Sequence, residues 1–198
     1  MFRRSYRLNG RWRYDNHFPD MKTMTHFSDI QILEVNNAVS MAEELVSNYY
    51  KMSASQWLRP KFDVKTQAEL TPEETVDGPF AQIIRYEGKR EDSSLGSSAY
   101  DFYKICLQDQ AILSILEVQP EIRLAPFVLY IVTHELVHIV RFSRFLQNFD
   151  ASQDEKMIEE ARVHHLTHDI LQPERISGMS PVLAFYERWR QPLESFNT

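Results

Sequence analysis

The sequence predicts an α+β fold, with short strands in the first half of the chain and packed helices in the second. Apolar runs rich in strand-forming residues favour strands at 62–66, 80–86 and 100–107, whereas apolar positions recur at helical spacing from residue 126 onward. The turn signal Asp77-Gly78-Pro79 separates the first two strands. A short antiparallel or mixed sheet packed on a helical second half is therefore expected.

Helices are expected both before and after the strands along the chain. The first covers residues 28–52, with Ser28 and Asp29 at its cap and an apolar stripe that includes Ile30, Leu33 and Tyr49. Thr71-Pro72-Glu73-Glu74 has the pattern of a helix start, although the turn signal that follows stops anything long. The remaining helical segments are expected at 111–116, 126–147, 152–171 and 181–189.

Composition excludes several classes of protein. With 198 residues, 43% of them apolar and 25% charged, the chain can build one substantial core. Five glycines, with neither a GxGxxG nor a GxxxxGK[ST] run, speak against a nucleotide-binding loop. The single cysteine, Cys106, cannot form an internal disulfide, and no uninterrupted apolar run reaches the length of a membrane-spanning helix. A cytoplasmic protein without a membrane partner is expected.

The N-terminus is basic and aromatic, although the whole chain carries a formal charge of −6. Five arginines, interleaved with aromatic residues, precede the first acidic residue, Asp15. Such an arm could contact nucleic acid or an acidic partner, or it could fold back over its own domain or stay solvated. We therefore expect an arm at residues 1–26 and a single domain at 27–198, and any nucleic-acid binding would involve the arm alone.

An HExxH motif, HELVH at residues 134–138, lies in the middle of the most apolar predicted helix. Four residues of helix turn about 400° and rise about 6 Å, so the imidazoles of His134 and His138 point the same way from successive turns. Both can therefore reach one zinc ion at about 2.0–2.1 Å. Glu135 projects about 100° away from His134, where it can accept a proton from a water bound to the metal.

The motif is flanked by apolar residues on nearly all sides, Leu129-Tyr130-Ile131-Val132 before it and Ile139-Val140 after it. Two histidines and a glutamate in a buried helix are costly unless they are paired or bound to a metal. A chance occurrence of HExxH on an ordinary helix is the alternative. The burial favours a zinc site.

A third ligand must come from elsewhere in the chain. Arg141 and Arg144 occupy the positions of the glycine and the histidine of the metzincin pattern, which excludes that class. Five of the seven histidines lie between residues 134 and 168, so the following helix is the next candidate. With HELVH on one helix and glutamates on the next, residues 100–171 resemble the gluzincin group of zinc peptidases. The resemblance implies a small zincin-like domain in which a glutamate completes the site.

Two adjacent glutamates compete for that role. Glu160 matches the gluzincin pattern better, and on the helical wheel it shares an arc with the more polar residues His164 and Thr167. Glu159 is the alternate ligand, and the sequence alone does not distinguish a Glu159 that binds the metal from a buried Glu159 paired with an arginine. His165 or His168 could also replace the glutamate. His164 stands where the family often has Asp, and it could stabilise an oxyanion, contact substrate or simply be a core histidine.

The resemblance also implies that the strand at 100–107 is the edge strand that pairs with an extended peptide substrate. Tyr103 and Tyr130 are candidate oxyanion partners, although aromatic packing explains such residues more often. Arg141 and Arg144 could anchor a carboxylate or pair with Glu159.

Three functions follow from these observations. The first is a compact intracellular zinc metallopeptidase that acts on a peptide or protein. The second is a zinc hydrolase for a non-peptide amide, or a metal-binding regulatory or interaction domain without turnover. The third is a binding module that recruits nucleic acid or a protein through its basic arm and uses its histidines structurally.

Overall fold

The structure, a computed structural model, describes residues 2–6, 26–53, 61–89 and 99–190. Within them the chain forms a four-stranded mixed sheet and five α-helices, which confirms the predicted α+β class. The strands are β1 Phe2–Tyr6, β2 Lys61–Lys65, β3 Ala81–Lys89 and β4 Ala99–Leu107. The helices are α1 Asp29–Tyr49, α2 Asp109–Val118, α3 Leu124–Ser143, α4 Gln153–Leu171 and α5 Met179–Phe185.

The strand order in the sheet is β1-β3-β4-β2. β1 pairs antiparallel with β3, β3 pairs antiparallel with β4, and β2 pairs parallel with β4. The expectation that the strand at 100–107 is an edge strand is wrong, because β3 and β2 occupy its two sides. β1 and β2 form the edges. β1, which the sequence did not predict, belongs to the basic arm, whose residues 7–25 lie outside the described part of the chain.

Helix α1 begins where the sequence predicts, because Ser28 and Gln31 form a reciprocal capping box. Its predicted apolar stripe is wrong in part: Ile30 is 72% exposed and Leu33 is 64% exposed. The buried positions are instead Val35, Ala38, Ala42 and Val46. Two of these four are alanines, and small residues allow the close approach of α1 to α3, against which it packs.

Helix α3 is the central element of the core, and 17 of its 20 residues are buried. Among the described residues it is also the one helix whose length and composition would allow it to cross a membrane, but 89% of its most apolar window is buried inside the fold. Such burial is typical of a core helix. α3 ends before the predicted limit because Phe145 adopts a left-handed conformation (φ 56°) and the Leu146 amide donates to the carbonyl of Arg141 at 2.9 Å.

Smaller differences concern the short elements. Residues 72–74 form a turn rather than the start of a helix, α2 extends beyond the predicted 111–116, and β3 continues to residue 89. The last predicted helix is divided into α5 and a 3-10 turn at Glu187–Arg190. Helix α4 begins at a second capping box, formed by Ser152 and Glu155, close to the predicted position.

The turn at 72–74 is fixed to the sheet through a buried carboxylate. Glu74 accepts hydrogen bonds from the amide of Thr71 at 3.0 Å, from Lys104 Nζ at 3.0 Å and from the hydroxyl of Tyr86 at 2.9 Å. Burial would raise the pKa of Glu74, but these three donors outweigh it and lower the pKa to about 2. The ionised carboxylate is therefore the stable form in the folded protein.

Replacing Glu74 by Gln should lower the free energy of unfolding at pH 7 by about 2–4 kcal/mol, because the buried carboxylate loses its hydrogen bonds as an ion and the partly buried Lys104 ammonium loses its counter-ion. The pKa of this group is lower in the folded chain than its ordinary value of 4.5, so its contribution is complete above that value. The difference between wild type and variant should therefore shrink as the pH falls from about 5 to about 2. Urea denaturation across this range measures it. An equal pH dependence for Glu74→Gln and for the exposed control Glu121→Gln would contradict the assignment.

Candidate metal centre

Helix α3 places the two motif histidines on one face, directed toward α4. His134 and His138 are one turn apart, and their Nε2 atoms lie 3.1 Å from each other. His134 is 8% exposed and His138 is 1% exposed. The same turn carries Glu135, which is only partly buried. The motif therefore presents two imidazole nitrogens inward, with a carboxylate beside them.

Helix α4 brings Glu160 to both histidines. One carboxylate oxygen lies 3.1 Å from His134 Nε2 and the other lies 3.0 Å from His138 Nε2. Three ligands bound tetrahedrally at about 2.0–2.1 Å from one metal are about 3.3 Å apart. The three side chains are thus almost as close to one another as a shared metal ion would require. Their donor set, two imidazoles and one carboxylate, is one that zinc accepts.

The hydrogen bonds of His138 indicate which of its ring nitrogens is available. Its Nδ1 lies 3.0 Å from Oε1 of Gln147, an acceptor, so Nδ1 carries the hydrogen and donates it. In the neutral ring the lone pair of Nε2 then faces the carboxylate of Glu160. This arrangement is repulsive unless a positive charge lies between the two groups. A neutral ring with its hydrogen on Nδ1 is also the tautomer of a histidine that binds a metal through Nε2.

Without a metal, a proton would have to supply that charge. Burial lowers the pKa of His138, but the Glu160 carboxylate opposes this effect and raises the pKa to about 9. For Glu160, burial raises the pKa, and His138 and His134 together bring it well below its usual range. The carboxylate is therefore ionised, and the pocket selects a cation at the point where the three side chains meet.

The second histidine lacks the support that His138 has. The Nδ1 atom of His134 is buried and has no hydrogen-bond partner among the described residues, and the same is true of the hydroxyl of Thr133. A histidine that binds a metal usually donates its second ring N–H to an acceptor. The site is therefore asymmetric, with one imidazole fixed by Gln147 and the other fixed by packing.

His164 lies beside the three side chains. Its ring is 4.3 Å from the ring of His134, and one of its nitrogens lies within 4.8 Å of ligand atoms of His134 and Glu160. These three residues also could hold a metal ion. We favour the set with His138, because its atoms are in direct contact at 3.0–3.1 Å.

The hydrogen bond of His164 gives a second reason. Its Nδ1 lies 2.9 Å from the hydroxyl of Tyr130, and burial raises the pKa of that hydroxyl well above its usual range. The nearby positive charge of Arg190 opposes this rise but does not cancel it, so the hydroxyl keeps its proton and can donate it to His164. Burial, followed by the proximity of His134, lowers the pKa of His164 well below its usual range. His164 is then neutral, and its Nε2 carries a hydrogen that can be donated rather than a lone pair for a metal.

Glu159 points to a different partner. Its carboxylate accepts a close hydrogen bond from Nε of Arg141 and another from Arg162 at 2.6 Å. Arg141 and Glu159 are both buried, so the pair joins α3 to α4 within the core. Glu160 therefore faces the histidines while its neighbour is held by arginine.

The other predicted site residues lie elsewhere. Tyr103 stacks on Phe142, which stacks in turn on His138, and the Tyr103 hydroxyl is 3.5 Å from Asp101. Arg144 donates to the carbonyl of Tyr50 at 3.3 Å and lies over its ring. His165 is exposed, and His168 lies 3.8 Å from Asp169. None of these contacts directs the side chain to the three central residues.

Sequence reasoning missed Gln147. It follows α3 by four residues and reaches back to His138 because the chain reverses at Phe145. No motif marks such a residue, since its place depends on where the helix stops.

Glu135 has a raised pKa. Burial raises it, although His134 and His138 oppose the change.

Comparison with models of protein families, with curated proteins and with solved structures found no match to this chain.

The Arg141–Glu159 pair makes a prediction about stability. Arg141→Met should lower the free energy of unfolding by about 3–5 kcal/mol, because the buried carboxylate of Glu159 keeps only the half-exposed Arg162 as a partner. The double variant Arg141→Met/Glu159→Met removes both charges and should recover most of this loss. Arg162→Ala is the control and should cost less than about 1 kcal/mol. Urea denaturation that shows additive losses in the double variant would contradict this account.

Proposed function

We propose that the protein is a zinc-dependent hydrolase and that it acts as a small metallopeptidase on a peptide or protein. The carrying observation is the contact of the Glu160 carboxylate with the Nε2 atoms of His134 and His138, at 3.1 and 3.0 Å. The position of Glu135 on the same turn supports catalysis rather than a purely structural site. A closed structural zinc site would more often use four protein ligands.

The donor set supports zinc as the metal. Two imidazoles and a carboxylate would leave the fourth coordination position of zinc open. A zinc ion bound by these three residues would act as a Lewis acid and lower the pKa of a water molecule to about 7. The same donor set also suits ferrous iron. Measurement of the bound metal therefore forms part of the test below.

Three side chains would serve the reaction. Glu135 would accept a proton and later deliver it to the leaving amine, and its raised pKa suits both tasks. His164 would donate from Nε2 to the negative charge that develops on the carbonyl oxygen. Tyr130 would hold His164 in this tautomer through the 2.9 Å hydrogen bond, while its own ring stacks on Tyr186 at 3.9 Å.

The choice of a peptide substrate is supported by the resemblance of HELVH and the following helix to gluzincins. One observation favours a second candidate, a metal-binding regulatory or interaction domain without peptidase turnover. β4 is flanked by two strands, so it cannot pair with a peptide as the resemblance implied. A peptidase of this fold would have to hold its substrate by other groups.

Purified protein should carry about one zinc ion per chain, as measured by elemental analysis after removal of loosely bound metal. His138→Ala and Glu160→Gln should each weaken zinc binding at least about tenfold in competition with a chromogenic chelator, because each removes one of three ligands. His165→Ala changes an exposed histidine on α4 and serves as the matched control. Equal zinc affinity in all three variants, or the absence of any metal from wild type, would refute the site.

Glu135→Gln separates turnover from metal binding. The variant should retain zinc while its rate of peptide cleavage falls by about 10²–10⁴-fold, because the amide cannot accept the proton. Cleavage of a peptide library, read by mass spectrometry, gives the rate. Zinc-loaded wild type that cleaves no peptide in the library would support the second candidate instead.

A further inference from the structure

The side chains at the candidate metal centre are not equally buried. His138 is 1% exposed, whereas His134 and His164 are each 8% exposed and Glu160 is 6% exposed. Gln147 lies on the His138 side, where it is 3.0 Å from the ring. Solvent, and therefore a substrate, reaches the centre from the side of His134 and His164.

The 3-10 turn after α5 lies on this more open side. Its Trp189 ring is 6.2 Å from the ring of His164. Arg190 is the last residue of the turn, and it donates to the carbonyl of Leu183 at 3.0 Å, so its side chain folds back toward α5. There its charge lies close to the hydroxyl of Tyr130, the hydrogen-bond partner of His164. A guanidinium is thus placed next to the centre, on the side from which a substrate would approach.

Arg190 has no counter-charge in the described part of the chain. It forms no ion pair there, and its hydrogen bond goes to a neutral carbonyl. A partly buried guanidinium is stabilised best by a carboxylate, which it can bind through two parallel hydrogen bonds. The carboxylates of Glu160 and Glu135 would balance a zinc ion at the centre, which leaves the charge of Arg190 unbalanced. An anionic group of the substrate would supply the missing charge.

The distance suits a carboxylate that follows the cleaved bond closely. One residue of extended chain and the ion pair itself span about 7 Å from the reacting carbonyl group. Arg190 lies beyond the imidazole of His164 and the hydroxyl of Tyr130, a separation of this order. Such an anchor would also replace the strand pairing that β4 cannot offer, because both of its edges are occupied.

We propose that Arg190 determines specificity by binding a carboxylate of the substrate, one residue beyond the cleaved bond. The proposal rests on the metallopeptidase function proposed above. Water adds across the peptide C–N bond, which gives a new carboxylate on the shortened peptide and a free amine on the residue that Arg190 holds. The bound carboxylate is either the C-terminus, which would make the protein a carboxypeptidase, or an acidic side chain.

Three short peptides separate these two sources. They are acetyl-Gly-Ala-Phe with a free C-terminal carboxylate, the same peptide as its C-terminal amide, and acetyl-Gly-Ala-Glu as its amide. Calorimetry measures their binding to the full-length Glu135→Gln protein with zinc added, which is expected to bind without cleavage. The free acid should bind at least about tenfold more tightly than its amide if Arg190 holds the terminus. The same gain for the glutamate peptide alone would assign the acidic side chain.

Variants made in the same Glu135→Gln protein assign the effect to Arg190. Arg190→Gln should bring the free acid and its amide to within about twofold of each other, and Arg190→Lys should keep part of the difference because it keeps the charge. Arg175→Gln removes an exposed arginine elsewhere and is the matched control, with no expected effect. A preference for the free acid that survives in Arg190→Gln would show that the carboxylate binds the metal instead, and would overturn the proposal.

Two further results keep this inference separate from the proposed function. Equal binding of all three peptides to the protein that retains Arg190 would overturn the anchor without the need for any variant at that position. Cleavage is measured with Glu135 intact. A carboxylate preference that depends on Arg190, without any cleavage, would support the anchor and contradict the peptidase. Cleavage that shows no such preference would support the peptidase and contradict the anchor.

Discussion

The contact of one buried carboxylate with two buried imidazoles determines how α3 and α4 are arranged. Glu160 is 6% exposed, and an ionised group so deep in a protein is tolerated only when opposite charge or hydrogen bonds surround it. His134 and His138 are in contact with it, so the two helices are fixed in position and rotation by the need to neutralise this pocket. The Arg141–Glu159 pair, one residue along α4, joins the same two helices by a second buried ionic contact.

Two further polar side chains, one on each side of this contact, support the histidines. On one side Gln147 fixes the tautomer of His138 from the loop after α3, and on the other Tyr130 fixes the tautomer of His164 from within α3. Tyr186 stacks on Tyr130 and lies 5.4 Å from the ring of His164, so the segment after α5 closes this side with aromatic surface. The result is a pocket that favours a bound cation, with a proton donor beside it, as the proposed hydrolysis of an amide would require.

The sequence predicts those parts of the structure that depend on local chemistry. Both capping boxes mark helix starts, and i, i+4 spacing alone brings His134 and His138 together. The remaining features depend on tertiary contacts, which the sequence pattern does not reveal. The buried face of α1 carries its small residues, because α3 packs closely against that face. The larger Ile30 and Leu33 are exposed. The internal place of β4 depends on the pairing of β2, forty residues earlier, and Gln147 depends on a chain reversal at Phe145, which has no glycine to announce it.

The spacing of the central residues along the chain has a kinetic consequence. His134 and Glu160 are only 26 positions apart and lie on consecutive helices, so bringing them together closes a short loop at small entropic cost. The sheet is different, because β1 meets β3 across some eighty residues, as in the pairing of Phe2 with Glu87. Local contacts of this kind form early in folding, whereas distant strand pairings form slowly. The helical pair can therefore assemble before the sheet closes, and a metal ion captured at that stage would act as a template for the remaining chain.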